Sequence, residues 1–187
     1  EKFSRVGKSK EIIRQKLNLP MNSFVIGHIG RFSKQKNHEF IINIFYKFLE
    51  IQNNSYLLLV GDGELLEEIK LKVSELGISD KVKFLGTRND IPEILKSLDA
   101  FLFPSLYEGV PLTLIEAQAS GVKCIISDNI DEEVIFNENT VRLKLTDSVE
   151  KWCYAIINNN VKSKPKNTID EYDIRNVVKK LEDIYRR

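Results

Sequence analysis

Short apolar runs that alternate with helix-like patterns constrain the fold of this chain more than any other feature of its sequence. The runs span 23–30, 56–60, 82–85, 100–103, 123–127 and 141–145, and each is followed by glycine, proline or a polar residue. Helical patterns connect the runs, and further helices are predicted over 8–17, 147–157 and 169–185. This alternation predicts an α/β fold with a doubly wound parallel sheet, similar to the Rossmann fold.

The residues that follow four of these runs carry the groups best suited to ligand binding. They are Gly30-Arg31, Gly61-Asp62, Gly86-Thr87-Arg88 and Tyr107-Glu108. In a parallel sheet, ligands bind outside the carboxyl ends of the strands, at the point where the strand order reverses. We therefore expect these four connections to converge on one edge of the sheet.

Composition restricts the classes of function. The 187 residues suffice for one domain with an ample core, and a net charge of +1 gives no reason to expect nucleic acid as a partner. The two cysteines, Cys124 and Cys153, form no disulfide framework or ligand cluster, which favours a reducing compartment. No apolar run approaches a membrane span, and the chain begins with Glu1, so we expect a piece of a longer cytoplasmic protein.

The stretch 101–121, FLFPSLYEGVPLTLIEAQASG, combines the end of a strand, an acidic loop and a helix. Glu108 lies in the loop, at the carboxyl end of the strand. Pro111 suits the first helical position, because its ring fixes φ and its missing N–H would be unpaired there in any case. Gly121 is expected to end the helix.

Glu116 is expected to share a helical face with Leu112 and Ile115, among apolar neighbours. Burying an acid there is costly unless hydrogen-bond donors surround it. One acid in the loop, the positive end of a helix and a second acid further along that helix would suit a polyhydroxylated phosphate ester. The alternative is that Glu108 is a solvated loop residue and Glu116 pairs with a lysine.

Three cations, Arg31, Lys34 and Lys36, lie in the loop that follows the first run. Arg31 and Lys36 lie in one loop, five residues apart, and offer a guanidinium fork and a point charge to a diphosphate. A solvated basic loop that contacts no ligand is the alternative. His28 and His38 lie nearby in the sequence, but no third ligand stands at metal spacing, so both are interpreted as structural residues.

The sequence Gly61-Asp62-Gly63 follows the second run and suggests a dinucleotide site at first. The fingerprint of such sites has a third glycine, and here Leu66 occupies that position, so this interpretation fails. The segment is either a tight turn beside a nucleotide or simply a turn that starts a helix.

Two motifs together resemble the retaining family-4 glycosyltransferases of GT-B fold, and most of all the bacterial capsule and exopolysaccharide enzymes. Glu108 and Glu116 lie in EGVPLTLIEAQASG, and Arg31 and Lys36 lie in GRFSKQK. The resemblance extends from about 23 to 128 and more faintly to 145. Asn37-His38 follows Lys36 where the family often has Gly, and Pro111 replaces a frequent Gly, which removes one N–H donor.

The resemblance implies a role for each of these residues. Arg31 and Lys36 would hold the donor diphosphate and stabilise the charge of the departing nucleoside diphosphate. Glu108 would orient the donor sugar, and Glu116 would hold the ribose hydroxyls. The other implied contacts are Gly30, Gly61, Arg88 stacked on the base, and the segment Gly109, Val110, Pro111 and Leu112 through its backbone N–H groups. No metal and no other cofactor is expected.

The sequence thus predicts the C-terminal, nucleotide-sugar-binding half of a two-domain hexosyltransferase, with 1–187 as a single domain. An N-terminal acceptor-binding domain would lie outside this chain, so the chain alone would be incomplete as an enzyme. Association of the full-length protein with the inner face of the plasma membrane follows from the capsule-type resemblance alone. The alternatives are a sugar-nucleotide epimerase of the same architecture and a non-catalytic nucleotide-binding domain.

Overall fold

A computed structural model describes residues 7–158 and Thr168. Six strands form one sheet in the order β3-β2-β1-β4-β5-β6, and every neighbouring pair is parallel. The strands are β1 (Phe24–Ile29), β2 (Ser55–Val60), β3 (Val82–Phe84), β4 (Ala100–Phe103), β5 (Lys123–Ser127) and β6 (Thr140–Leu143). The predicted doubly wound parallel sheet is confirmed.

Helices cover both faces of this sheet. They are α1 (Lys10–Lys16), α2 (His38–Ile51), α3 (Leu66–Glu75), α4 (Ile91–Ser97), α5 (Leu112–Ala119) and α6 (Val149–Ile157). Helices α2, α3 and α6 share one apolar core, and α4 and α5 share the other, with α1 packed on α4. The predicted closing helix over 169–185 lies outside the described residues.

Strand β4 shows why the runs are continuously apolar in the sequence. All four of its residues are fully buried. Ala100 and Leu102 pack into the core with α2, whereas Phe101 and Phe103 pack into the core with α5. Because both faces of the sheet are covered, no alternation of polar and apolar residues is needed.

The strand order reverses between β1 and β4, which are neighbours in the sheet. Strand β1 leads into α2 on one face of the sheet, and β4 leads into α5 on the other. A crevice between the two connections therefore opens at the carboxyl edge, where a ligand is expected in folds of this kind.

Asn37 and Asp90 are residue types that commonly cap helix N-termini, but neither side chain caps the helix that it precedes. Asn37 precedes α2, but its backbone is left-handed, with φ of 57°, and its side chain donates to the Pro104 carbonyl at 3.2 Å. Asp90 precedes α4, but its carboxylate binds Arg88, with Nη2 and Oδ2 2.6 Å apart. In each case another partner replaces the N–H groups of the helix start.

Cys124 and Cys153 are buried free thiols. Burial raises the pKa of the Cys153 thiol to about 11, so this group is a neutral core residue near pH 7. None of the helices in the described part of the chain combines the length and the apolar character that a membrane crossing requires.

Candidate active site

The connection between β1 and α2 docks on the connection between β4 and α5. One turn of 3-10 helix (Lys34–Lys36) lies in the first connection. The Leu106 N–H donates to the Gln35 carbonyl at 2.8 Å, and the Asn37 side chain donates to the Pro104 carbonyl at 3.2 Å. These bonds hold the loop that carries Lys36 against the loop that carries Glu108.

The Lys36 ammonium and the Glu108 carboxylate form an ion pair at this contact. Lys36 Nζ lies 2.6 Å from Glu108 Oε1, and only 14% and 7% of the two side chains are exposed. Gln35 Nε2 donates to the other carboxylate oxygen at 3.2 Å. The carboxylate is therefore held at both oxygens, and the ammonium has two further N–H donors that a ligand can use.

Arg31 lies at the surface of the same edge. Its Nη2 atom is 3.2 Å from Glu64 Oε2, and 74% and 56% of the two side chains are exposed. An exposed pair of this kind contributes little to stability, because solvent screens the charges and both side chains lose entropy. The guanidinium can therefore exchange the Glu64 carboxylate for an anionic ligand at little cost in stability.

The turn at Gly61 packs against the same loop. Gly61 has φ of 134°, and a Cβ atom there would lie 2.1 Å from the Gly30 carbonyl oxygen, so only glycine fits. The Gly61 N–H donates to the Gly86 carbonyl at 2.9 Å, which joins the connections after β2 and β3. The Phe32 N–H donates to the Asp62 carbonyl at 2.9 Å, which joins the connections after β1 and β2. Together with the contact between Lys36 and Glu108, these bonds confirm the predicted convergence at the carboxyl edge.

The start of α5 differs from the prediction by one residue. Pro111 is not the first helical residue, because its ψ of 82° places it just before the helix, which begins at Leu112. The Leu112 N–H already donates to the Val110 carbonyl at 3.0 Å. Val110 and Leu112 are each 69% exposed, and Gly109 is exposed as well, so this segment forms an open wall next to Glu108.

Glu116 lies in the second turn of α5 and is half-buried. The predicted burial of its helical face is wrong, because Leu112 on that face is 69% exposed. The helix packs through another stripe, which consists of Leu114, Ala117 and Gln118. The Glu116 face is thus the partly open side of α5, and its carboxylate does not depend on a ligand to relieve burial in a core.

Arg88 lies in the connection after β3, bound in a bidentate pair to Asp90. The two contacts are 2.8 and 2.6 Å, and 37% of each side chain is exposed. This hydrogen bonding raises the pKa of Arg88 and lowers the pKa of the Asp90 carboxyl. A cavity of about 650 Å³ opens beside Arg88, between α1 and β3, and its lining among the described residues includes neither Lys36 nor Glu108.

His28 and His38, predicted as separate structural residues, are in contact beside the Lys36 loop. Their ring centroids are 4.8 Å apart, and the His38 ring stacks on Phe32 at 4.1 Å. His28 Nδ1 lies 2.9 Å from the Leu102 carbonyl oxygen. Within the described part of the chain, His28 Nε2 and both ring nitrogens of His38 have no hydrogen-bond partner.

The histidine pair is neutral at physiological pH. Burial, followed by the neighbouring ring of His38, lowers the pKa of His28 well below its ordinary value. Burial and the charge of Lys36 lower the pKa of His38 to about 4. Among residues 7–158 and Thr168, no group of three or more His, Cys, Asp or Glu side chains is placed to hold a metal ion.

Of the residues at this site, Gln35 is the one that sequence reasoning missed. It lies between two lysines in an apparently solvated loop, and nothing in the local sequence signals its contact with Glu108. The structure joins Lys36 to Glu108 and Gly30 to Gly61, whereas it leaves Arg31 on Glu64 and Arg88 on Asp90. The ligand-binding roles of all these residues remain predictions.

The family profile of the glycosyl transferases group 1 matches residues 9–151. EpsF of Bacillus subtilis (strain 168), which carries a provisional glycosyltransferase name, is 36% identical over 167 residues, covering 89% of this chain and 44% of EpsF. The UDP-Gal:alpha-D-GlcNAc-diphosphoundecaprenol alpha-1,3-galactosyltransferase of Escherichia coli is 33% identical over 199 aligned positions, covering 99% of this chain and 51% of the relative. The chain thus spans about half the length of these two relatives.

Solved structures share the fold. Anabaena HepE in complex with UDP-glucose superposes with a TM-score of 0.74 at 25% identity, covering 85% of this chain and 45% of HepE. The C-terminal domain of LpcC, a group 1 family glycosyl transferase of Francisella tularensis, superposes with a TM-score of 0.70 at 22% identity. That match covers 92% of this chain and 96% of the LpcC domain.

Proposed function

This chain belongs to the group 1 glycosyltransferases, and on that premise we propose that it is the donor-binding, C-terminal domain of a retaining hexosyltransferase. The full-length enzyme would move a sugar from a nucleoside-diphosphate sugar to a saccharide or lipid-linked acceptor during synthesis of a surface polysaccharide. The domain would span 1–187, and an N-terminal domain outside this chain would bind the acceptor. The match over nearly the whole C-terminal domain of LpcC supports this division.

The contact between Lys36 and Glu108 is the observation that carries the proposal. A cation suited to phosphate and an acid suited to sugar hydroxyls, 72 positions apart in the chain, meet at 2.6 Å at the edge where such sheets bind ligands. Arg31 precedes Lys36 in the same loop. Helix α5 begins directly after the loop that carries Glu108, so the positive end of its dipole lies next to that loop. This set of charges suits a sugar joined to a diphosphate.

In the proposed reaction, the bond between the anomeric carbon and the diphosphate oxygen breaks, and the electron pair leaves with the diphosphate. Arg31 and Lys36 stabilise the negative charge that develops on the departing oxygens, and the N-terminus of α5 assists them. The acceptor oxygen forms the new bond to the anomeric carbon, and its proton passes to an oxygen of the departing diphosphate. Arg31 and Lys36 require no metal ion to stabilise the charge on the diphosphate.

Glu108 orients the donor sugar in this scheme and does not act as a nucleophile. Both of its carboxylate oxygens already accept hydrogen bonds, one of them from an ammonium. Such bonds stabilise the carboxylate charge and make the oxygens less nucleophilic. Each oxygen keeps a lone pair for a sugar hydroxyl, so the same geometry favours orientation.

A uridine diphosphate sugar is the proposed donor. The Escherichia coli relative is named for transfer from UDP-Gal, and HepE forms a complex with UDP-glucose. Glu116 would contact the ribose, and Arg88 would leave Asp90 to stack on the base. We further propose a cytoplasmic site of action at the inner face of the membrane, where a lipid-linked acceptor of the kind named for the Escherichia coli relative would be presented.

Calorimetric titration of the chain with a panel of UDP-, GDP- and ADP-sugars tests this function. We expect weak but saturable binding of a UDP-sugar, with little transfer by the chain alone. Binding of no nucleotide sugar would contradict the proposal. Release of an altered sugar nucleotide without acceptor would favour the epimerase, to which the family match gives no support. Full transfer by the Glu108→Gln variant of the full-length protein would favour a non-catalytic domain.

A further inference from the structure

The Glu108 carboxylate is held by two consecutive residues of one turn. Lys36 Nζ contacts Oε1 at 2.6 Å, and Gln35 Nε2 donates to Oε2 at 3.2 Å. The same Gln35 nitrogen donates to the Tyr107 carbonyl at 2.9 Å. The amide therefore has its two N–H groups directed at the backbone and at the side chain of adjacent residues in the acidic loop.

The backbone of Gln35 is engaged at the same place. Its carbonyl accepts the Leu106 N–H at 2.8 Å, so Gln35 makes three contacts with the segment 106–108. Gln35 is half-buried, whereas its neighbour Lys34 is exposed. The side chain of Gln35 thus packs into the contact between the two loops, and the side chain of Lys34 remains outside it.

Lys36 and Gln35 restrain the carboxylate in different ways. A lysine ammonium is a point charge on a flexible stem, and a carboxylate can rotate while keeping contact with it. A second donor from a planar amide, itself fixed on a backbone carbonyl, removes this rotation. Because the amide carries no charge, it competes less with the sugar hydroxyls for the Glu108 carboxylate than a second cation would.

We propose that Gln35 is a positioning residue, which orients the Glu108 carboxylate for the donor sugar while Lys36 remains shared with the diphosphate. This inference rests on the proposed function, because it assumes that Glu108 contacts the sugar. Gln35 would thus help the protein to distinguish a nucleotide sugar from the bare nucleotide, although Gln35 itself contacts neither ligand. Loss of the Gln35 amide should therefore weaken binding of the sugar and leave binding of the diphosphate intact.

The test compares UDP with UDP-glucose and UDP-galactose, using the whole chain and isothermal calorimetry. Of UDP-glucose and UDP-galactose, the one that the wild-type chain binds more tightly is used for the comparison. Gln35→Ala should weaken its binding about tenfold, because the hydrogen bond from Gln35 to the charged Glu108 carboxylate is lost. The affinity for UDP should change less than about twofold, since Lys36 and Arg31 are retained. Lys34→Ala, in the same turn, should change neither affinity.

Gln35→Met keeps the volume of the side chain and removes both donors, so it replaces the alanine variant if the latter does not fold. In the Glu108→Ala background, which leaves the Gln35 amide no side-chain acceptor at 108, a further Gln35→Ala change should not alter the ratio of the two affinities. Equal weakening for UDP and UDP-sugar, or an unchanged ratio in the single variant, would overturn the role of Gln35. A wild-type chain that binds neither UDP nor a UDP-sugar would instead overturn the proposed function.

Discussion

Lowering the pH from 7 to 5 should destabilise this protein through His38. The ring is buried against Phe32, beside His28 and Lys36, and its pKa is about 4 where an exposed imidazole has 6.5. In the unfolded chain the same imidazole has its ordinary pKa, so at pH 5 it binds a proton that the folded protein excludes. Because the unfolded state then binds more protons, the free energy of unfolding falls as the pH falls.

The two pKa values set the size of this effect. With about 4 in the folded state and 6.5 in the unfolded state, linkage gives a loss of about 2 kcal/mol between pH 7 and pH 5 from His38 alone. His28 contributes in the same direction, since its pKa is lowered as well. His38→Phe keeps an aromatic ring on Phe32 and removes two buried nitrogens that have no partner in the described part of the chain.

The variant should therefore be at least as stable as wild type at pH 7, and it should lose about 2 kcal/mol less on acidification. Urea unfolding of both proteins at pH 7, 6 and 5, followed by circular dichroism, measures this difference. Carboxylates that also respond to acid are common to both proteins, so their contribution cancels. Equal losses of stability in the two proteins would show that protonation of His38 does not destabilise the folded state.

Three further predictions concern the site. Gly61→Ala should lower the free energy of unfolding by about 3 kcal/mol in a urea titration, because the new Cβ would meet the Gly30 carbonyl oxygen at 2.1 Å. Gly109→Ala is the control and should be nearly neutral, because no atom lies within 4 Å of its new Cβ. Arg31→Ala should leave the urea midpoint unchanged, because its ion pair is exposed, but should weaken UDP binding about tenfold by calorimetry; equal UDP affinity would remove Arg31 from the site. Excess EDTA should leave the affinity for UDP unchanged; a loss of binding that Mg²⁺ restores would contradict metal-independent binding.

The fold could be predicted from the sequence because each layer leaves a periodic pattern. Strands covered on both faces are continuously apolar, as in β4, and amphipathic helices such as α2 show which side faces the sheet. The convergence of the connections at the carboxyl edge follows from the parallel direction of the strands. Cap residues were less predictable, since the Asn37 and Asp90 side chains bind Pro104 and Arg88, and these contacts depend on the folded loops.

The site could be predicted only in part, because its geometry depends on pairings between distant loops. Lys36 and Glu108 were identified separately, but their 2.6 Å contact depends on the register of β1 against β4 and on the loops that follow. Apolar neighbours made the face of Glu116 resemble a core face, yet it is the partly open side of α5, as the 69% exposure of Leu112 shows. Apolar character alone does not distinguish a core face from the wall of a ligand site.

A crystal of the chain soaked with a UDP-sugar would show whether Arg31, Lys36 and Glu108 hold the donor. We expect the diphosphate to lie between Arg31 and Lys36, with the sugar hydroxyls on Glu108 and the ribose near Glu116. Occupancy of the cavity between α1 and β3, with the edge beyond β1 and β4 empty, would contradict this expectation.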